Sequence, residues 1–418
     1  MKKIFALFFI ITFHQSFSQT EFKAKSLLVL SDADMIASSY EDGILNKNFE
    51  IEDSLTILTF NDSQIAKKHI QLSNSVIGWP SLFSYSSTTK CGYIAESKGM
   101  HHIQTNTVSG VWAGLPDGGH ITVVDLSDID RPHIIQEEKL GENIFSVTTN
   151  ANGNLLAASM QEDDQYVLLS KLTGGKIDQT FIVDRNTIGR PDRISSLYFH
   201  PSKNILAINL NNTSVGFFQV VEKNDTLKLE PIGEFLDVSL RWSEGKWFNN
   251  GDYFAVCDYA FTGLDEPRTS SIKTVKFNSH GSHKIVSEVK TGLSTEGFDL
   301  SPDNEYIVAV NMERSFLPPT FPDSTKTNPS LTLIKVNPQK GTLTRLGENY
   351  VFSGALPEDA AFDAESNTIA VVSFHEMNEL NPTKGKVEFW EIENDHLIRL
   401  KSMISVTRGS HYIHAILR

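Results

Sequence analysis

The 418-residue chain is short of several things, and each shortage narrows what it can be. It has two cysteines, Cys91 and Cys257, too few for a disulfide framework. Each lies in an apolar, strand-like run (Lys-Cys-Gly-Tyr-Ile-Ala and Tyr-Phe-Ala-Val-Cys-Asp). Both are therefore expected as small buried core residues, with a pairing in an oxidising compartment as the alternative. Lys and Arg number 37 against 51 Asp and Glu, a formal net charge of −14, and no Lys/Arg-rich run stands out. Sequence-independent nucleic-acid binding needs cations at phosphates, so that class is excluded. No apolar run reaches the ~20 residues of a membrane-spanning helix. Long apolar stripes at i, i+3, i+4, i+7 are missing, which argues against a helical fold. There is no G-x-S-x-G elbow, no Walker loop, no G-x-G-x-x-G and no metal-type cysteine pair. His375-Glu-Met-Asn-Glu379 lacks the second His of a helical zinc signature. Asp128-Ile-Asp130 starts like an EF-hand but has Lys139 at the twelfth position. His280 with His283, and His411 with His414, are three apart in strand-like runs, where such side chains face opposite ways. No residue set reads as a metal site.

Apolar residues make up 40% of the chain and include 26 Phe, enough for a packed core. The start reads as an export leader: Lys2 and Lys3, an apolar run from Ile4 to Phe13, then Ser16-Phe17-Ser18 as a small-x-small cleavage site. Removing residues 1–18 makes the chain more acidic still. No Cys follows the apolar run, so a lipid anchor there is not expected. The mature protein, 19–418, is expected to be a single, monomeric, periplasmic or secreted domain without a membrane span.

Short β-rich runs separated by turn residues dominate, and one unit recurs. Ile194-Ser-Ser-Leu-Tyr-Phe199, Asn204-Ile-Leu-Ala-Ile-Asn209, Ser214-Val-Gly-Phe-Phe-Gln-Val-Val221 and Leu227-Lys-Leu229 read as four antiparallel strands, a to d. The a–b pair returns around Asn150-Ala-Asn-Gly153, Gly297-Phe-Asp-Leu-Ser-Pro-Asp-Asn304 and Ala361-Phe-Asp-Ala-Glu-Ser-Asn367, and more loosely elsewhere. Trp247-Phe-Asn-Asn-Gly-Asp marks the turn of a fifth unit. The turns are rich in Gly, Asn, Asp and Pro, the residues of tight reversals. Third strands can be counted seven times. The first unit opens on a second strand, Ser26-Leu-Leu-Val-Leu30, with no strand before it; His411-Tyr-Ile-His-Ala-Ile-Leu417 is left over at the other end. The spacing predicts an all-β, seven-bladed β-propeller of four-stranded antiparallel blades, its C-terminal strand completing blade one. Such closure protects strand edges.

Thr295-Glu-Gly-Phe-Asp-Leu-Ser-Pro-Asp-Asn-Glu-Tyr-Ile-Val-Ala-Val-Asn311 and Asn337-Pro-Gln-Lys-Gly-Thr-Leu343 with Ala355-Leu-Pro-Glu-Asp-Ala-Ala-Phe362 resemble the blades of the YVTN/lactonase-type (WD40/YVTN repeat-like) propeller superfamily. The likeness is good for blades four, six and seven and looser for one, two and five; the Trp-Asp dipeptide of WD40 blades is missing. The matched residues are turn and core positions, so the resemblance implies the fold. It raises a lactonase-like hydrolase as one reading.

In a propeller the b–c loops and d–a connections share a face. Here that face carries long b–c loops: Glu96 to Gly119, Asp258 to Ser271, Glu313 to Ser330 and His375 to Lys386. Loops beyond about 12 residues in a compact domain are often functional. They bring aromatic and polar groups (His101, His102, Trp112, Phe261, Phe316, Phe321), suited to a small polar molecule, a saccharide or an envelope or extracellular protein. Positions just before strand a or just after strand b ring the channel mouth. They hold Arg193, Glu296, Glu358 and His411, with Glu96, Asp258, Arg314 and His375. Carboxylates, His and Arg in one cleft are what acid–base chemistry needs. Arg193, Glu296, Glu358, His375 and His411 are the catalytic candidates; Glu96, His101, His102, Trp112, Asp258, Arg314 and Phe316 are the ligand-binding candidates. The first expectation is an exported propeller binding a polar ligand or partner on the long-loop face. The alternative is a lactonase-like hydrolase at the channel mouth. No cofactor is expected, with a divalent cation in the acidic channel as an open option.

Overall fold

The structure is a computed structural model that describes residues 22–417, apart from 49, 62–63, 76, 78–80, 100–105, 161–166, 184–187, 189–192, 261–267, 319 and 323–324. Among the described residues the strands form seven antiparallel sheets arranged as a propeller; blade four adds a short fifth strand, Leu236–Asp237. The leader lies outside the described residues. No helix among them is long and apolar enough to cross a membrane.

Each blade runs a–b–c–d from the channel outward, and burial follows that order. The b strands Leu155–Met160, Ile205–Leu210, Tyr253–Asp258 and Thr368–Ser373 are buried at every position. They are sandwiched between neighbouring blades on both faces, which is why they read as unbroken apolar runs rather than alternating ones. The d strand Ile65–Gln71 lies at the rim and alternates exposed and half-buried residues. An apolar cluster joins each adjacent pair of blades. One unites Phe217, Trp242 and Phe254 between blades four and five; another unites Phe248, Phe298 and Ile307 between blades five and six.

The ring closes as the sequence predicts. Ser410–Ile416 pairs antiparallel with Ser26–Ser31, from Ser26 opposite Ile416 to Ser31 opposite Ser410. Gly409 just precedes that strand at φ +77°, and a Cβ there would meet the Asp32 carbonyl oxygen at 1.6 Å, so glycine is required at this crossing. The a–b turns are locked by side-chain bonds to backbone N–H groups. The Asp363 carboxylate accepts the N–H groups of Lys23, Asn367 and Thr368. In blade six the Ser301 hydroxyl accepts the N–H groups of Glu305 and Tyr306. Cys91 and Cys257 are buried and unpaired, in blades two and five.

One strand differs from the sequence reading in a way that matters for the site. Blade five's strand a is Trp242–Trp247, Trp-Ser-Glu-Gly-Lys-Trp, ending where the sequence pattern begins its turn. Its Glu and Lys line the channel, so it lacks the apolar signature of its equivalents.

Candidate functional site

The long-loop face is a packed cap. Met35, Ala37 and Leu45 from blade one's b–c loop join Val111, Leu115, Phe316 and Leu317 from other loops in one apolar cluster over the channel. A cavity of about 440 Å³ opens within it.

Its polar wall comes from the residues that enter the a strands of successive blades. Arg193 precedes Ile194–Phe199, Arg241 precedes Trp242–Trp247, Glu296 is the second residue of Thr295–Leu300, and Glu358 lies two residues before Ala360–Phe362. Propeller symmetry therefore gathers two guanidinium groups and two carboxyl groups, from four blades, at one opening. Asp258 fixes the arginine segment: its carboxylate accepts the N–H groups of Leu240 and Arg241 and ion-pairs with Lys273 at 3.1 Å.

Burial dominates the electrostatics. It pushes Glu296 up to about 8, with the Glu244 charge adding to the rise and Arg241 opposing it. Glu358 is raised well above the ordinary range, again mainly by burial and then by Glu296, Asp32 and Asp359. Arg241 favours an ionised Glu296, whereas Glu296, Asp32 and Asp359 all disfavour a charge on Glu358. Arg193 is lowered by burial and by Arg241 beside it. Two neighbouring cations with two partly protonated carboxyl groups leave the mouth receptive to an anionic or strongly polarised group.

Aromatic rings line the same cavity. The Arg193 guanidinium lies 6.0 Å from the Phe145 ring, Phe145 packs edge-on to Trp112 at 5.7 Å, and Lys98 Nζ sits 4.8 Å from the Trp112 ring. Arg241 lies 5.5 Å from the ring of Tyr259, whose hydroxyl is raised by burial, Glu296 and Glu358. Tyr40 and Phe316 complete the lining.

No protein-family model matches the chain, and no curated protein matches it. Solved structures do. The periplasmic gluconolactonase of Pseudomonas aeruginosa superposes with TM-score 0.63 at 12% identity, covering 93% of this chain and 98% of that one. A Bacteroides fragilis protein provisionally assigned as a 6-phosphogluconolactonase gives TM-score 0.60 at 12% identity, with the same coverage. A functionally unknown protein from Desulfotomaculum acetoxidans gives 0.61 at 8%, covering 94% and 99%. The chain shares the β-propeller fold of these structures.

Within this propeller the predicted residues separate. Arg193, Glu296, Glu358, Trp112 and Phe316 line the mouth together. His375 and His411 do not line it. His375 accepts the Ala37 N–H at Nε2 and meets the Glu376 carbonyl at Nδ1, 2.8 Å away; burial lowers it to about 4. His411 Nε2 meets Asn74 Oδ1 at 2.8 Å, and burial lowers it to about 3. Both are neutral at pH 7 and engaged in holding blade one's loops. Glu96 is tied to His120 at 2.9 Å, and the Arg314 N–H donates to Thr327. Phe321 packs, half-buried, against the cap. His101, His102 and Phe261 lie outside the described residues.

The sequence reading missed Arg241, Tyr259, Phe145 and Tyr40. Arg241 precedes the atypical strand of blade five, and Tyr259 follows Asp258 by one. Tyr40 belongs to the blade-one loop between Ser31 and Ser54, as long as those singled out but hidden by the absent first strand. For the cation option, Asp32, Asp34 and Asp53 place ligand atoms within 4.8 Å of one another. Buried Arg408 lies beside them, donating to the carbonyls of Ala33, Asn46 and Pro382; burial lowers it, and these aspartates oppose that fall. The three carboxyl groups thus share their surroundings with a buried guanidinium.

Proposed function

We propose that the protein is a lactonase-like hydrolase acting at the channel mouth on a small polar lactone. The observation that carries this reading is the convergence of Arg193, Arg241, Glu296 and Glu358 on one cavity of about 440 Å³. The gluconolactonase-like structural neighbours support it by analogy of fold. In this reading the ionised Glu296 takes a proton from water as the water oxygen bonds to the lactone carbonyl carbon. The arginines hold the oxyanion that forms. Glu358, protonated, gives its proton to the ring oxygen as the ring C–O bond breaks, and a hydroxy acid leaves. The proton then passes from Glu296 back to Glu358. Trp112 and Phe145 offer apolar ring faces for the C–H face of a sugar-derived ring.

The test is hydrolysis of glucono-δ-lactone, 6-phosphogluconolactone and a linear ester by purified protein, corrected for spontaneous opening. Lactone turnover above background supports the reading; saccharide binding without turnover would replace it with the ligand-binding one, which shares this face. We place the reaction outside the cytoplasm, on the strength of Lys2, Lys3 and the apolar run that follows. A mature N-terminus beginning after Ser18 in protein recovered from the envelope checks that placement.

A further inference from the structure

Below the mouth, on the same a strands but nearer the short-turn face, lies a second cavity of about 260 Å³. It is lined by Ser81, Tyr198, Glu244, Lys246, Trp247 and Tyr412 among others, and reaches Pro201 at blade four's turn. Three features point to a ligand. First, a group of buried hydroxyls is held there poorly satisfied. Those of Ser81, 6% exposed, Ser196 and Tyr198 meet one another and the Gly245 backbone, but none makes a well-formed hydrogen bond among the described residues. Buried hydroxyls with poorly formed bonds are costly, so a molecule that bonds to them is favoured. Secondly, acid outnumbers base. Glu244, Asp299 and Asp359 face Lys246 alone, and Lys246 is already committed to Asp299 at 2.6 Å. Glu244 Oε2 accepts the Phe298 N–H at 2.8 Å, and burial raises this carboxyl to about 7. Thirdly, Tyr198, Trp247, Phe83 and Tyr412 give an aromatic wall.

We propose that this lower cavity is a second binding site, separate from the mouth, for a small hydroxylated ammonium compound such as an amino sugar. The ammonium sits at Glu244, where the carboxylate excess supplies its counter-charge; the hydroxyls satisfy Ser81 and Tyr198; the ring lies on the aromatic wall. The site does not depend on the hydrolase reading, since it shares none of the mouth residues used there.

The experiment is calorimetric titration of the full mature chain with D-glucosamine, D-glucose and cyclohexylamine. Variants E244Q, Y198F and, as the mouth control, E296Q are titrated alongside, with melting curves for each. Glucosamine is expected to bind more tightly than either comparator. E244Q should weaken it by about tenfold and Y198F by about threefold, the sizes of a lost charged and a lost neutral hydrogen bond; E296Q should leave it unchanged. Should E244Q fail to fold, Y198F and the glucosamine-dependent rise in wild-type melting temperature carry the test. Equal binding of glucose, an effect of E296Q but not of Y198F, or no glucosamine binding would each overturn the proposal.

Discussion

The two faces of this propeller are built on opposite principles. On the short-turn face polar side chains hold the reversals, within a turn and between adjacent turns: Asp363 accepts the N–H groups of Lys23, Asn367 and Thr368, Asn150 Oδ1 accepts those of Asn154 and Leu155, and Asn304 Oδ1 accepts that of Asn249 in the next blade's turn. On the long-loop face the important groups come from four different blades, and burial holds their carboxyl groups far from the ordinary range. The first face spends its polar side chains on stability. The second keeps polar groups in a costly environment, the pattern expected where a fold supports chemistry. Changes at the mouth should therefore cost activity and spare the fold, and changes at the turns should do the reverse.

The largest separation is expected from Glu296→Gln. Loss of the base should lower lactone kcat/KM by about a thousandfold, within the usual range for general-base removal. The melting temperature should hold or rise, because a buried carboxyl that resists ionisation is replaced by a neutral amide; parallel kinetics and calorimetry decide it. Arg241→Met comes next, with a loss of about a hundredfold if the guanidinium holds the oxyanion. The converse is Asp363→Ala. Removing the acceptor of three N–H groups should cost about 2–3 kcal/mol in denaturant unfolding, while kcat/KM stays at the wild-type value. A drop in activity without a drop in stability there would erase the contrast between the faces.

Stability against pH gives a smaller effect with a defined sign. Glu296 rises from 4.5 to about 8 on folding, so the folded state holds a proton that the unfolded state has lost between those values. Its contribution is fully present below about 4.5 and is lost as pH rises through about 8. Wild-type stability should thus decline over that window, and Glu296→Gln should flatten the slope. Smallest of all is chelation. With the Arg408 guanidinium beside Asp32, Asp34 and Asp53, EDTA should move the melting temperature by less than about 1 °C; a large drop would make that group a cation site.

The fold was legible because its determinants are local and repeated. Tight turns such as Ser301-Pro-Asp-Asn304, continuous b strands such as Tyr253-Phe-Ala-Val256 and the unmatched terminal strand each carry their own signal. The position rule for the channel mouth found Arg193, Glu296 and Glu358, because ring symmetry turns a place in the repeat into a place in space. It missed Arg241 where strand a spends its inward positions on Glu244 and Lys246. It also selected His375 and His411, which occupy rim positions but are turned into the loop packing by bonds to Ala37 and Asn74. Side-chain direction within a long loop depends on contacts hundreds of residues away, and one sequence does not encode these in any short pattern.

In the proposed reaction Glu296 is the group that activates water at the mouth. The most direct measurement is kcat/KM for glucono-δ-lactone across pH 6 to about 9.5, for wild type and Glu296→Gln, after subtraction of spontaneous hydrolysis. The predicted result is a wild-type rate that climbs through an inflection near 8, with both the rate and the inflection gone in the variant. A variant that retains the wild-type rate and profile would contradict it.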